Sequence, residues 1–334
     1  MFWSRVISAI KMQTRLALVT GATGCVGANV VEALLERGYD VRALRRATSR
    51  LDALAGLNPE LVTGDITDYA TLPPALAGCD LVFHVAAIAQ YWRNAPNPIY
   101  HANVTGTRNV LRAALEAGVR RVVLTSSVAT LGVPEVPGQL RDERSAFNLR
   151  PADFHYGHSK LLAEAEATRA LRQGLDVVIV NPATVIGQRD VNFVGGELLR
   201  VARRGLLVVA PPGGMGVVAA RDVGAAHVLA AERGVTGARY ILNGENVTHR
   251  ALAEMAAEIV GVPKPRWTAP VALVRLLAAM AERGLPLPAE LDACRLRLSA
   301  HKLYFDGSKA RAALGFRPRP ARAAIIEAWK WYTD

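Results

Sequence analysis

Six short apolar runs, most of them followed by a longer stretch of helical periodicity, constrain this chain more than any other feature. The runs are LALVT (16–20), VRAL (41–44), ELVTGD (60–65), DLVFHVAA (80–87), RVVLTSS (121–127) and DVVIVNP (176–182). They are rich in the β-branched residues that suit buried strands. After the first run, Val26, Val30, Ala33 and Leu34 recur at helical spacing until Gly38, a helix-stop signal. Further helices are predicted around 68–77, 98–117 and 154–173, the last two closed by Gly118 and Gly174. Strands that alternate with helices run parallel, because each crossover returns the chain to the same end of the sheet. Right-handed crossovers then put helices on both faces, giving a doubly wound, Rossmann-like α/β fold.

The second half is less regular. Pro/Gly clusters at 211–216 and 261–265 punctuate it, and ARYILNG (238–244) predicts a seventh strand returning to the main sheet. Helical patterns cover 250–260, 270–283 and 320–332. The expected layout is a Rossmann domain over 14–182 and a smaller, mostly helical substrate lobe over 183–334 that closes on the sheet's carboxyl edge. Residues 1–13 are apolar and basic, with a core too short for a signal peptide, and are read as a leader outside the fold or an alternative start ahead of Met12 rather than as a membrane foot. The apolar stretch 270–282 is broken by Arg275 and falls short of the ~20 residues that span a bilayer.

Composition narrows the function. At 51% hydrophobic residues the chain carries ample core, and disorder is excluded. The formal charge is +11, yet only six of the 40 basic residues are lysine and no basic run forms a nucleic-acid arm. Cys25, Cys79 and Cys294 are odd in number and lack a CxxC, which argues against disulfides and zinc and for a reducing cytoplasm. The seven histidines show no HxxxH or HExxH spacing, so no metal site is expected.

Gly21, Gly24 and Gly27 stand between the first strand and the first helix. Gly21 permits the tight turn, Gly24 lets backbone approach a pyrophosphate, and Gly27 lets helix and strand pack closely. Thr23, Cys25 and Val26 complete a loop whose free N–H groups and dipole face the phosphates. An acidic side chain leaving the second strand would read the ribose of NAD, but Asp40 precedes that strand. The exit carries Arg45 and Arg46, with Arg50 nearby, and guanidinium forks suit a 2′-phosphate. NADP is therefore the expected cofactor, with NAD the alternative and a plain solvated basic loop the bland one.

Tyr156 and Lys160 stand four apart on the second long helix. An ammonium beside a phenol is expected to lower the phenol's pKa from about 10 toward the working range of a proton shuttle. Ser127 follows the fifth run, at the sheet edge where ligands of such folds collect. Its hydroxyl can bond a carbonyl oxygen while Tyr156 moves the proton.

These residues resemble the extended short-chain dehydrogenase/reductases of the NAD-dependent epimerase/dehydratase type, over about residues 14–333. The likeness is carried by TGATGCVG, GDITD, FHVAA, NVTGTRN, LTSSVATLG, YGHSK, VNPATVIG and FDGSKARAALGFRP. Within the family the chain is similar to dihydroflavonol-reductase-like proteins and to bacterial hopanoid-associated sugar epimerases. The resemblance implies Ser127, Tyr156 and Lys160 in catalysis, with Ser127 preferred over Ser126 by its distance from Gly132. It also implies Asp65 and Ile66 beside the adenine, Ala86 and Ala87 along the cofactor path, and Pro182 with Val185 near the nicotinamide.

The expected activity is NADP(H)-dependent reduction of a carbonyl on a small organic substrate, or the reverse oxidation of an alcohol, with Tyr156 as general acid. A nucleotide-sugar epimerase or dehydratase holding NAD, and a non-catalytic redox sensor, are the alternatives. No nucleic acid and no membrane span are expected, and the two long helices offer a homodimer interface. His155 and His158 are placed at the surface or substrate rim, and the loop 90–94 near substrate or in aromatic packing.

Overall fold

A computed structural model of the chain describes residues 16–89, 95–283 and 292–333; the leader expected over 1–13 and the loop 90–94 lie outside the described residues. Strand β1 (Leu16–Thr20) turns into helix α1 (Cys25–Glu36), followed by β2 (Asp40–Arg45), β3 (Glu60–Thr63) and the short α2 (Leu72–Leu76). Next come β4 (Leu81–His84), α3 (Pro96–Tyr100), α4 (Gly106–Glu116), β5 (Arg121–Thr125), α5 (His155–Arg172) and β6 (Val177–Pro182). The remainder holds β7 (Thr184–Ile186), α6 (Glu197–Arg203), β8 (Val209–Ala210), β9 (Gly214–Ala219), α7 (Ala220–Arg233), β10 (Arg239–Leu242), β11 (Glu245–Thr248) and α8 (His249–Val260). Then follow β12 (Trp267–Thr268), α9 (Val271–Glu282), α10 (Ala293–Ser299), β13 (Lys302–Leu303), α11 (Ser308–Leu314) and α12 (Ala321–Thr333).

The main sheet runs β3-β2-β1-β4-β5-β6-β10, all parallel. The predicted seventh strand is there, with Arg239 opposite Ile179. Alternate strand residues feed two cores. Ala17, Val19, Phe83, Val123 and Val178 pack under α1 and α7, whereas Leu18, Val82, Val122 and Leu124 pack under α2, α4 and α5. Burial on both faces is why these strands read as continuous apolar runs. Strand order reverses between β1 and β4, and a crevice at such a switch point is where doubly wound folds bind ligands.

Three predicted strands end early, at Thr63, His84 and Thr125. The residues beyond leave the ladder and form the loops of the carboxyl edge. The helix predicted over 98–117 starts at Pro96, where missing prolyl N–H groups cost nothing, and contains one π turn at His101–Thr105. The glycine cluster at 211–216 is not only a turn: Gly214 and Gly216 lie in β9, the centre of a second sheet with β7, β11 and β13. A Cβ on Gly214 would sit 2.5 Å from the Val247 carbonyl oxygen, and one on Gly216 2.5 Å from Asn243 Oδ1. Close approach of neighbouring chain, rather than a turn, requires glycine there. Ile186, Val217, Val247, Leu252 and Ile325 form a separate core around this sheet. Among the described residues, no helix is long and apolar enough to cross a membrane.

Candidate active site

At the switch point, Gly21 has φ +66°, and a Cβ on it would lie 2.7 Å from the backbone of Ala86. A Cβ on Gly27 would lie 2.1 Å from the Gly21 carbonyl oxygen. Gly24 differs: its nearest neighbour would be 3.4 Å away, so the protein's own packing leaves room for a side chain. Glycine at 24 keeps bare backbone facing outward. Helix α1 starts there without a side-chain cap or an acidic residue in its first turn. The N–H groups of Cys25, Val26 and Gly27 find no acceptor among the described residues, and Thr23 to Val26 are partly exposed. Open backbone donors at a positive helix end fit a pyrophosphate, and the residues present thus suit a dinucleotide.

A buried relay fixes this loop. Val85 and Ala86 N–H donate to Thr20 Oγ1, which lies 2.8 Å from His84 Nδ1; His84 Nε2 lies 2.9 Å from Thr107 Oγ1. Since Thr107 donates to the Asn103 carbonyl at 2.7 Å, His84 carries its proton on Nε2 and accepts from Thr20. Burial, with the Lys160 charge adding to it, brings the His84 pKa down to about 3, so the ring stays neutral.

Beyond β2, Arg46 is exposed, whereas Arg45 folds onto its own loop and donates to the carbonyls of Arg46 and Ala47. Arg50 pairs with Asp52. Asp65 accepts from the Thr67 N–H and hydroxyl. Burial pushes its carboxyl up, but those bonds with the Arg46 and His101 charges outweigh it and hold the pKa low. Ile66 is buried against Gly106, and its carbonyl takes a bond from Asn109. Ala87 is exposed beyond β4, Pro182 closes β6 and Val185 lies half-buried in β7.

Ser127 follows β5 and accepts from the Ala129 N–H at 3.1 Å, which starts a short 3₁₀ turn. Its hydroxyl meets the half-buried Tyr156 phenol. Burial pushes that phenol up, and the Ser127 hydroxyl offsets only part of the rise. Lys160 is 3% exposed and donates to the Thr125 carbonyl at 2.6 Å. Burial lowers the Lys160 pKa to about 8, against the opposing pull of Glu164. Burial therefore outweighs the lowering expected of this ammonium, which gives one of its three N–H donors to a strand carbonyl. The Tyr156 phenol and the Ser127 hydroxyl thus meet at the edge of β5.

Ser126 points the other way, into buried Glu164, which also accepts from Thr130 at 3.2 Å and Asn181 at 2.8 Å and faces Arg239 at 3.5 Å. Asn181 further donates to the Ser127 carbonyl at 3.0 Å. Asn103 bonds both backbone groups of Ile88 and the Ser159 hydroxyl, which donates to the Tyr156 carbonyl. Sequence reasoning singled out neither Glu164 nor Asn103. The available signal for Glu164 was its place eight residues after Tyr156, on the face that Lys160 also occupies. Near Tyr156, Tyr100 lies 2.9 Å from His158 Nδ1 and stacks edge-on to His155, both partly exposed.

The model of the NAD dependent epimerase/dehydratase family matches residues 17–242. A Synechocystis sp. protein named "Putative dihydroflavonol 4-reductase" is 40% identical over 95% of this chain and 94% of its own length. Cinnamoyl-CoA reductase 1 of Oryza sativa is 36% identical over 74% of this chain and 76% of its own. The crystal structure of gox2253 superposes with a TM-score of 0.85 at 38% identity, covering 96% of this chain and 98% of that one. The chain belongs to the NAD-dependent epimerase/dehydratase family, the extended short-chain dehydrogenase/reductases, and is an NAD(P)-dependent oxidoreductase.

Proposed function

We propose that the chain is an NADP(H)-dependent reductase of a carbonyl on a small organic substrate. The observation that carries this reading is the contact between the Tyr156 phenol and the Ser127 hydroxyl at the carboxyl end of β5, one helical turn from buried Lys160. A phenol kept neutral by burial is a proton donor, which is what a carbonyl oxygen gaining negative charge needs. Ser127 donates a second hydrogen bond to that oxygen, and Tyr156 gives up its proton as the alcohol forms. Lys160, next along the same face, favours the phenolate left behind. Asn181, itself bonded to Glu164, fixes the Ser127 carbonyl, and Asn103 acts on the Tyr156 carbonyl through the Ser159 hydroxyl.

The dinucleotide would be held by Gly21, Thr23, Gly24, Cys25, Val26 and Gly27 at its phosphates. Asp65 and Ile66 lie toward the adenine, Ala86 and Ala87 along the path, and Pro182, Val185, Tyr156 and Lys160 toward the nicotinamide. Bound there, it supplies the hydride for the carbonyl carbon. Arg46 reads the 2′-phosphate, while Arg45 shapes the loop that presents it. Residues 183–334 serve as the substrate lobe. We place the protein in the cytoplasm, as a homodimer through α4 and α5. Their outer faces carry the Arg108–Glu166, Arg169–Glu166 and Arg112–Glu116 pairs, so that interface would be polar.

The family model gives specific weight to a second reading, an NAD-dependent nucleotide-sugar epimerase or dehydratase. Screening ketones and aldehydes for NADPH oxidation separates the two. Turnover with a free carbonyl substrate supports the reductase. NAD that survives gel filtration, together with epimerisation of a sugar nucleotide, rejects it.

A further inference from the structure

Most described exposed surface mixes charges of both signs, but two neighbouring segments do not. Residues 198–211 and 259–281 contain no Asp or Glu, yet carry Arg200, Arg203, Arg204, Lys264, Arg266 and Arg275. The same segments hold seven of the large apolar side chains that stand in solvent: Leu206 (62% exposed), Val208, Val209, Trp267 (69%), Val271, Leu273 and Leu276 (57%). Parallel pairing of β8 with β12 sets Val209 beside Trp267, and the Arg266 N–H bonds the Val208 carbonyl, so the two segments form one edge. Helix α9 continues that edge. Val274 and Ala278 face inward, which leaves Leu273 and Leu276 on the opposite, solvent side.

Charge settles what this edge fits. Arg203, Arg204, Arg266 and Arg275 have no carboxylate within ion-pair distance among the described residues. The nearby acids are engaged elsewhere, Glu258 with Arg322 and Lys264, Glu282 with Arg297, and Glu197 with Arg200 and Arg295. Thr268 is the one uncharged polar side chain in 206–210 and 266–276, so the edge offers almost nothing for the directional hydrogen bonds of a specific protein contact. A second copy docking the same edge face to face would set unpaired arginines against unpaired arginines. Aliphatic side chains and an exposed tryptophan among arginines match the boundary of an anionic bilayer. There apolar side chains enter the acyl region, tryptophan sits at the headgroups and guanidinium groups reach the phosphates.

We infer that the edge formed by residues 203–209 and 266–276 docks the protein, without spanning, onto a membrane surface rich in anionic lipid. The test is co-sedimentation of the full chain with sucrose-loaded vesicles of phosphatidylcholine alone and of phosphatidylcholine with phosphatidylglycerol, at low and high salt. Each arginine near an anionic surface contributes about fivefold to partition. Wild type should pellet with the anionic vesicles and leave them at high salt. The Arg203→Glu/Arg204→Glu variant should bind at least about tenfold more weakly. Leu276→Glu should also release the protein, at unchanged melting temperature, since its side chain stands in solvent. No pelleting with anionic vesicles, equal pelleting with phosphatidylcholine alone, or variants that bind like wild type would overturn the inference. So would a dimer in sedimentation equilibrium that Leu276→Glu dissolves, which would assign the edge to a second copy.

Discussion

Replacing Gly24 by alanine should damage cofactor binding and spare the fold, the opposite of what the same change does three residues on. Gly24 has φ −98° and ψ 168°, extended backbone that alanine adopts freely, and the new Cβ would meet only the Gly21 carbonyl oxygen at 3.4 Å. Alanine is a poorer helix cap than glycine but restricts the unfolded chain, so stability should change by no more than about 1 kcal/mol. The methyl group would stand where the pyrophosphate approaches. Displacing the phosphates from even one charge-assisted N–H bond costs about 1.5–3 kcal/mol, which is about 10- to 150-fold in affinity. Gly27→Ala would instead force a Cβ to 2.1 Å from a carbonyl oxygen. Relief of that overlap should cost at least about 2 kcal/mol of stability. Calorimetric titration of NADPH and thermal denaturation on both variants check the pair. Wild-type affinity in Gly24→Ala, or a loss of stability equal to that of Gly27→Ala, would mean that Gly24 serves packing and not the phosphates.

Arg46→Ala should weaken NADPH by about tenfold or more while leaving NADH nearly unchanged, because only the former offers the 2′-phosphate; parallel fluorescence titrations at fixed ionic strength measure both. His84 and His227 are fully buried and neutral, with pKa values lowered by burial to about 3 and about 4, so they take up protons only after unfolding once the pH drops below about 6.5. Their contribution to stability is complete above that pH and is lost on acidification, together by about 2 kcal/mol per pH unit between pH 6 and pH 4. His227→Gln should reduce that slope by about 1 kcal/mol per pH unit in denaturant titrations across the range. Asn103→Ala leaves the part-buried Ile88 N–H without its acceptor and removes the amide donor from the Ser159 hydroxyl. It should lower stability by about 1–3 kcal/mol and turnover further than NADPH affinity, as a comparison of melting curves, kcat and Kd would reveal.

The features legible in the chain are those with a short period. The strand–helix alternation, the glycines at 21, 24 and 27, and the Tyr156–Lys160 pair are local patterns, and the structure contains each of them in the element expected. What escaped depends on partners far away in sequence. His84 bonds Thr20 and Thr107, Asn103 bonds Ile88 and Ser159, and Glu164 gathers Ser126, Thr130 and Asn181, contacts that no local window displays. Gly214 and Gly216 misled for the same reason, because turn and close-packed strand make the same demand for a missing side chain. The arginines after β2 read alike as charges, yet only the fold separates Arg45, turned onto its own loop, from exposed Arg46. Burial also reversed the direction expected for Tyr156, since a desolvated phenol resists ionisation even with an ammonium one helical turn away.

If Tyr156 donates the proton in a reduction driven by NADPH, its loss will show in single-turnover oxidation of NADPH with an accepted ketone or aldehyde. Enzyme loaded with NADPH is mixed with the carbonyl substrate, and the loss of nicotinamide absorbance is followed for wild type and Tyr156→Phe. The substitution removes one hydroxyl and keeps the ring, so the fold and the NADPH Kd should stay as they are. The rate should fall by about 10²- to 10⁴-fold, the usual contribution of a positioned proton donor. Oxidation at the wild-type rate in Tyr156→Phe would mean that another group supplies the proton.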